Sequence, residues 1–400
     1  MLAVSYAAGE ILSFLNSSVK RTDIDPRVAD FYDAGKYART IAYQADKAKF
    51  SRIVSTFGFV LNASFLVFGL FGRLDGLLVP LAANTHLRAL VFFIIIFLGS
   101  DILSIPFELY ATFVLEAKYG FNKTTPSLFI ADKLKGYLLT LVLGGAVLFA
   151  FIFLVEAMGS LFWIAFAALA VALVFFVNMF YTSLMLPLFN KLSELSEGEL
   201  KDAVNAYASA QGLKLQGIYV MDGSKRSSKA NAFFSGLGPK KKIVLFDTLI
   251  KNHPVRELVA ILAHEAGHLK LAHIAKGFVF SAIQITATAW IFSLFIGNAT
   301  LSAALGGASY ALHLNLIAFG ILFAPIASAT GLLAMIASRA HEYEADAFAA
   351  KTSDASTMVT ALKRLSADNL ANLYPHPLYV FFNYSHPPLL SRMEHLENAT

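Results

Sequence analysis

SLFWIAFAALAVALVFFVNMFYTSLML, residues 160–186, decides the fold class of this chain. The stretch carries no charged side chain and exceeds the roughly 20 apolar residues that a helix needs to cross a bilayer. Similar runs lie at 53–72, 87–110, 137–157, 274–296 and 313–337. The whole chain is 57% hydrophobic and 15% charged, with 36 phenylalanines. These observations predict an all-α polytopic membrane protein carrying a small α+β part. Residues 2–16 are apolar but short for a span. They lack a basic start and a small-residue cleavage site, so they read as a marginal first membrane helix rather than a removed signal peptide. Counting that helix gives about seven crossings.

Outward from this core the chain divides into four parts. Residues 1–187 hold transmembrane helices 1–5, with a polar, helical interface segment at 20–52. Residues 188–273 form a soluble insertion, 274–337 hold two further spans, and 338–400 are soluble helix and loop. Within the insertion, 194–211 reads as an amphipathic helix and 218–221 as a strand. Residues 231–235 and 242–247 read as a strand pair around Gly236-Leu237-Gly238-Pro239-Lys240. Asp101, Glu108 and Asn178 fall within spans, where polar groups are costly and usually face a wet interior or a partner; Glu108 alone reads equally well as interfacial.

The formal charge of +5 is modest and spread over loops, which reports membrane orientation and not nucleic-acid binding. Segments 17–52, 117–136, 188–273 and 338–400 share one side and hold nearly all Lys and Arg, whereas the opposite loops hold little beyond Arg73 and Arg88. The positive-inside rule makes the basic side cytosolic. With no cysteine, disulfides and thiolate metal ligands are excluded.

The chemistry is written in the insertion, at His264-Glu265-Ala266-Gly267-His268. Two histidines four apart on a helix lie about 40° apart around its axis, so both rings reach one point. Imidazole nitrogens suit zinc, and Glu265 then sits beside the open coordination position, placed to take a proton from water. The surrounding helix is expected from Val255 to about His273, with Pro254 at its start. Gly267 leaves room for a partner segment to approach closely.

His273 lies nine residues past His264, about 180° around the axis, and cannot join the pair without breaking that helix. A third ligand is better sought at Glu342. Asp346, four residues on, shares its face and would orient a ligand histidine, while Glu344 points about 200° away. The two spans between return the chain to the same membrane side. Spacing alone also allows a solvated charged helix here.

With these motifs the chain resembles the type I CAAX prenyl endopeptidases, integral-membrane zinc metalloproteases. Further matching stretches are IPFELYATFV (105–114), YGFNKT (119–124), GSKRSS (223–228), NAFF (231–234), KIVLFDTL (242–249) and YSHPPLL (384–390). The resemblance runs from about residue 10 to residue 396. It implies seven helices around an intramembrane chamber capped by the zinc domain. It further implies one zinc ion per chain on His264, His268 and Glu342, with Glu265 as general base. Asn231 matches a polar residue beside the substrate, and His386 a histidine that stabilises the tetrahedral intermediate; without the resemblance, His386 reads as a surface turn. The abbreviated first span departs from the pattern.

The expected function is zinc-dependent endoproteolysis near the C-terminus of prenylated proteins, or of other membrane-associated peptides. The expected partners are peptide or protein substrates and membrane lipid, without nucleic acid. The setting is a multi-pass protein of a bacterial cytoplasmic or endoplasmic-reticulum membrane, its zinc site facing the cytosol. An HtpX-like quality-control protease is the alternative enzyme, although such proteases are shorter and lack the 107–123 region. A transporter or scaffold with a vestigial zinc site is the alternative outside enzymes, and the intact Glu265 argues against it.

Overall fold

A computed structural model describes residues 1–19, 21, 23–82, 84–235 and 242–398. Among the described residues, five helical segments are long and apolar enough to cross a membrane: Ala34–Val67, Thr85–Glu116, Pro126–Phe189, His273–Ser293 and Leu312–Thr352. The third is bent. Gly159, at φ +55°, turns the chain between the helices Gly145–Met158 and Phe162–Phe180, a conformation glycine adopts without steric cost. Its two limbs correspond to the expected runs at 137–157 and 160–186. Leu2–Ser18 is a helix of 17 residues, extending the predicted one by a half-turn. Large apolar side chains along these helices, among them Leu138, Ile164, Ile283 and Leu333, are exposed, as a lipid solvent requires.

Two expected boundaries move. The interface segment and the second span form one helix, Ala34–Val67, started by the Asp33 carboxylate accepting from Lys36 N. Likewise, the seventh span and the polar helix expected after it are one 41-residue helix, Leu312–Thr352. A polarity change at Ser338 does not end a helix, because no glycine or proline interrupts 338–351. At 1.5 Å per residue such a helix is about 60 Å long, twice the hydrocarbon core. Glu342 lies on its polar C-terminal part, beyond the apolar stretch.

The expected polar interior is present in part. Lys133 Nζ bonds Asp101 Oδ1 at 2.7 Å and Glu108 Oε1 at 2.9 Å. Both carboxylates line a cavity of about 430 Å³ between helices. Asn178 does not join them; its amide donates to Val174 O of its own helix.

The insertion builds a four-stranded sheet: β1 (Leu192–Glu194), β2 (Gly217–Met221), β3 (Ala232–Ser235) and β4 (Lys242–Phe246), in the order β1-β2-β4-β3. β2 and β4 run parallel with Ile218 opposite Ile243, and β3 pairs antiparallel with β4, Phe233 opposite Val244. β3 is thus an edge strand. The turn expected at 236–240 lies outside the described residues. The amphipathic helix is shorter than predicted, Glu199–Ala210. Ile243, Leu245, Leu258, Leu262 and Met358 form the core beneath the motif helix.

That helix, Val255–Lys270, is held at its start by a charge pair in which Glu257 is buried and Arg364 partly exposed. Arg364 Nε and Nη2 donate to the Glu257 carboxylate at 2.9 and 3.0 Å, and His253 Nδ1 lies 2.8 Å from Glu257 Oε2. Along its length it packs on Leu312–Thr352. At Gly267 the approach is close: a Cβ there would lie 2.9 Å from Ala345 Cα. Alanine normally gains about 1 kcal/mol over glycine in a helix, but overpacking against backbone costs about 1–3 kcal/mol. Gly267→Ala should therefore lower the thermal midpoint and weaken metal retention. Parental values for both would show that the helices have slack at this point.

Candidate active site

The motif helix ends earlier than expected. It stops at Lys270, Ala272 takes a left-handed conformation at φ +59°, and a new helix starts at His273. The break leaves His264 and His268 on one face and swings His273 back beside His268, with Nδ1 atoms 3.0 Å apart. His273 thus meets the site without entering the central donor cluster.

Opposite stands the face of Leu312–Thr352 that carries Glu342 and Asp346. His264 Nε2 and His268 Nε2 are 3.2 Å apart. Glu342 Oε2 lies 3.5 Å from the first and Glu342 Oε1 3.3 Å from the second. A tetrahedral zinc ion with bonds near 2.0–2.1 Å separates its ligand atoms by about 3.3 Å. Glu342 Oε2 is buried and lacks a hydrogen-bond partner, as an oxygen reserved for a cation would be. Among the described residues these three form the single cluster of donors with metal-binding spacing. The donor set fits a metal ion.

The surroundings orient each group. Asp346 Oδ1 lies 2.8 Å from His264 Nδ1, so the carboxylate accepts from that ring and leaves Nε2 facing the centre. Asp346 is fully buried and is itself gripped by Arg392, whose Nε and Nη2 donate at 2.8 and 2.6 Å. Arg392 Nη1 also approaches Glu342 Oε2 at 3.4 Å. Nothing in the spacing of the sequence marks Arg392, which reaches the site from the C-terminal helix Leu389–Asn398. The Pro387-Pro388 turn that starts this helix, four to five residues upstream, is the nearest signal.

Glu265 follows His264 on the helix, and burial raises the pKa of its carboxyl above the ordinary value. That shift suits a group that must exchange protons near neutral pH. Burial disfavours a proton on His264, but Asp346 and Glu342 outweigh it and raise that pKa, so a metal must compete with protons there.

His386 and Asn231 have different fates. His386 Nε2 lies 3.3 Å from Glu342 Oε1 on a ring that is 65% exposed, so its loop does reach the rim of the site. Ser385 Oγ meets His386 Nδ1 at 2.9 Å, and Arg339 braces the loop by donating to Tyr384 O. The side chain of Asn231, the residue before β3, instead turns onto the adjoining backbone, where Oδ1 accepts from Ala232 N at 2.9 Å. It bonds no member of the cluster among the described residues. Its place at the start of edge strand β3, which packs on the motif helix, is what relates it to the site.

Two family descriptions match almost end to end. Residues 15–191 match the CAAX prenyl protease N-terminal domain of five membrane helices, and residues 194–400 match peptidase family M48. The chain belongs to the CAAX prenyl protease family. It is 34% identical to the CAAX prenyl protease 1 homolog of Arabidopsis thaliana over 90% of this chain and 87% of that protein. With CAAX prenyl protease 1 of Saccharomyces cerevisiae it shares 32% identity over 95% and 89%. The fold matches the crystal structure of S. mikatae Ste24p with a TM-score of 0.94 and 29% identity, covering 99% of this chain and 97% of that one. As a CAAX prenyl protease family member, the chain is a multi-pass membrane metalloendopeptidase. The match through 15–191 removes the grounds for the shorter HtpX-like alternative.

Proposed function

We propose that this protein uses one zinc ion to hydrolyse peptide bonds near the C-terminus of prenylated proteins bearing Cys-aliphatic-aliphatic-X ends, and of other membrane-associated peptides. The observation that carries the reading is the near-tetrahedral spacing of His264 Nε2, His268 Nε2 and Glu342 beside Glu265. A bound zinc ion supplies a Lewis acid and brings the pKa of water down to about 7. Glu265 takes the proton from the attacking water and later delivers it to the leaving amine. His386 Nε2–H donates to the oxygen that gains negative charge, and Asn231 holds the peptide on the substrate side. The free edge of β3 pairs with the extended substrate through main-chain bonds. Asp346 and Arg392 keep His264 oriented throughout.

His386→Ala should lower turnover by about 10²–10³-fold, the usual cost of one oxyanion donor, with zinc content unchanged. Unaltered turnover would return His386 to a structural role.

The zinc domain is placed on the cytosolic face because the basic segments lie there, where a lipid chain holds a modified C-terminus against the membrane. The substrate class is tested with purified, zinc-loaded enzyme given a prenylated Cys-aliphatic-aliphatic-X peptide and its unprenylated twin. The prenylated peptide is cleaved, and some cleavage of the unprenylated one is expected in detergent. An enzyme inert towards the prenylated peptide would rule out the assignment.

A further inference from the structure

Beyond the three donors and Asp346, a second chain of groups runs away from the site on the side of His268. His268 Nε2 faces the centre, so its proton resides on Nδ1, and Nδ1 lies 3.0 Å from His273 Nδ1. The other nitrogen of that ring, His273 Nε2, lies 2.9 Å from Glu344 Oε2. One assignment satisfies every atom. His268 Nδ1–H donates to His273 Nδ1, and His273 Nε2–H donates to the Glu344 carboxylate. His273 is buried and its ring lies flat on His341, 4.0 Å between centroids and 9° between planes. The ring therefore has little freedom to turn away.

The backbone shows the same commitment. Ala272 takes a left-handed conformation, at φ +59°, that a non-glycine residue adopts only under strain. Had the motif helix continued, His273 would face about 180° from His264. The strained residue breaks the helix at the point that returns His273 to His268.

We infer that Glu344 and His273 form a positioning relay for His268, the counterpart of the direct Asp346 contact to His264. The relay fixes the His268 tautomer and ring plane and makes Nε2 a better donor, as outer partners of metal-bound histidines do. It differs from the Asp346 arrangement in having a histidine between carboxylate and ligand. It also gives Glu344, which faces away from Glu342 on its own helix, a reason to be there. Neither residue belongs to the donor cluster of His264, His268 and Glu342.

This inference rests on the zinc reading above, and the test separates the two. Zinc release from full-length detergent-solubilised protein is followed with a colorimetric chelator, alongside the visible spectrum of the cobalt-substituted protein. The variants are His273→Ala, Glu344→Gln, the double variant and His268→Ala. Each single relay variant should weaken zinc binding by about 10- to 100-fold and shift the cobalt spectrum. The double variant should lose no more than His273→Ala, because both residues act along one path. Glu344 is half-exposed, so Glu344→Gln remains informative should His273→Ala fail to fold. Parental zinc release in Glu344→Gln, or losses that add in the double variant, would overturn the relay. Parental zinc binding in His268→Ala would instead overturn the zinc site itself.

Discussion

Glu265→Ala is expected to abolish peptide hydrolysis while leaving one zinc ion per chain. The two halves have separate causes. Glu265 lies beside the donors but outside the cluster of His264, His268 and Glu342, so its removal takes no ligand away. What disappears is the carboxylate proposed to accept the proton of the attacking water and return it to the leaving amine. General acid–base catalysis is worth about 10²–10⁴-fold, and the proposed role of Glu265 covers both proton transfers. Burial raises the pKa of its carboxyl, a direction that suits the task. Glu265→Gln should behave as the alanine variant does, because an amide keeps the shape without the basicity. Metal analysis beside a turnover assay decides the matter. A folded Glu265→Ala protein without zinc would give Glu265 a ligand's role and contradict the assignment.

Glu342→Ala should show the converse, losing zinc and activity together. Its carboxylate spans the two histidines, Oε1 near His268 and Oε2 near His264. Removing it leaves two neutral donors and brings the Arg392 cation to the edge of the pocket without one of its carboxylate neighbours. Both changes disfavour a divalent cation. Glu344→Ala is the control, two residues along the same helix. Its effect should be the smaller one of a relay partner, about 10- to 100-fold in zinc affinity, with activity recovered at high zinc. If Glu344→Ala were the costlier, the face of the helix assigned to the metal would be wrong.

How far this site was legible in the sequence follows from what each residue's position depends on. Helical periodicity put His264 with His268, and Glu342 with Asp346, on one face each, four apart in each pair; that the two faces meet came from the family resemblance and not from spacing. His273 was misplaced by the same arithmetic, since the helix ends at Lys270 through a left-handed Ala272. No glycine announces that break. Arg392 depends on tertiary structure, reaching Asp346 from 46 residues away. The Glu257–Arg364 pair was equally hidden, at a separation of 107 residues.

For the fold, apolar runs located the long helices but not their ends. Hydropathy changes at residue 53 and at Ser338 while the helices Ala34–Val67 and Leu312–Thr352 pass straight through. A helix needs a breaker or cap to stop, and polarity supplies neither. The three-residue strand β1 was too short to show a period, and it exists because β2 offers it an edge.

The most direct test is a zinc titration of metal-stripped enzyme, followed by hydrolysis of a prenylated peptide. Activity should be absent after chelation, rise linearly with added zinc and level off at one ion per chain. His264→Ala should stay inactive across the same range. Hydrolysis that survives complete removal of metal, or that returns equally in His264→Ala, would contradict the account.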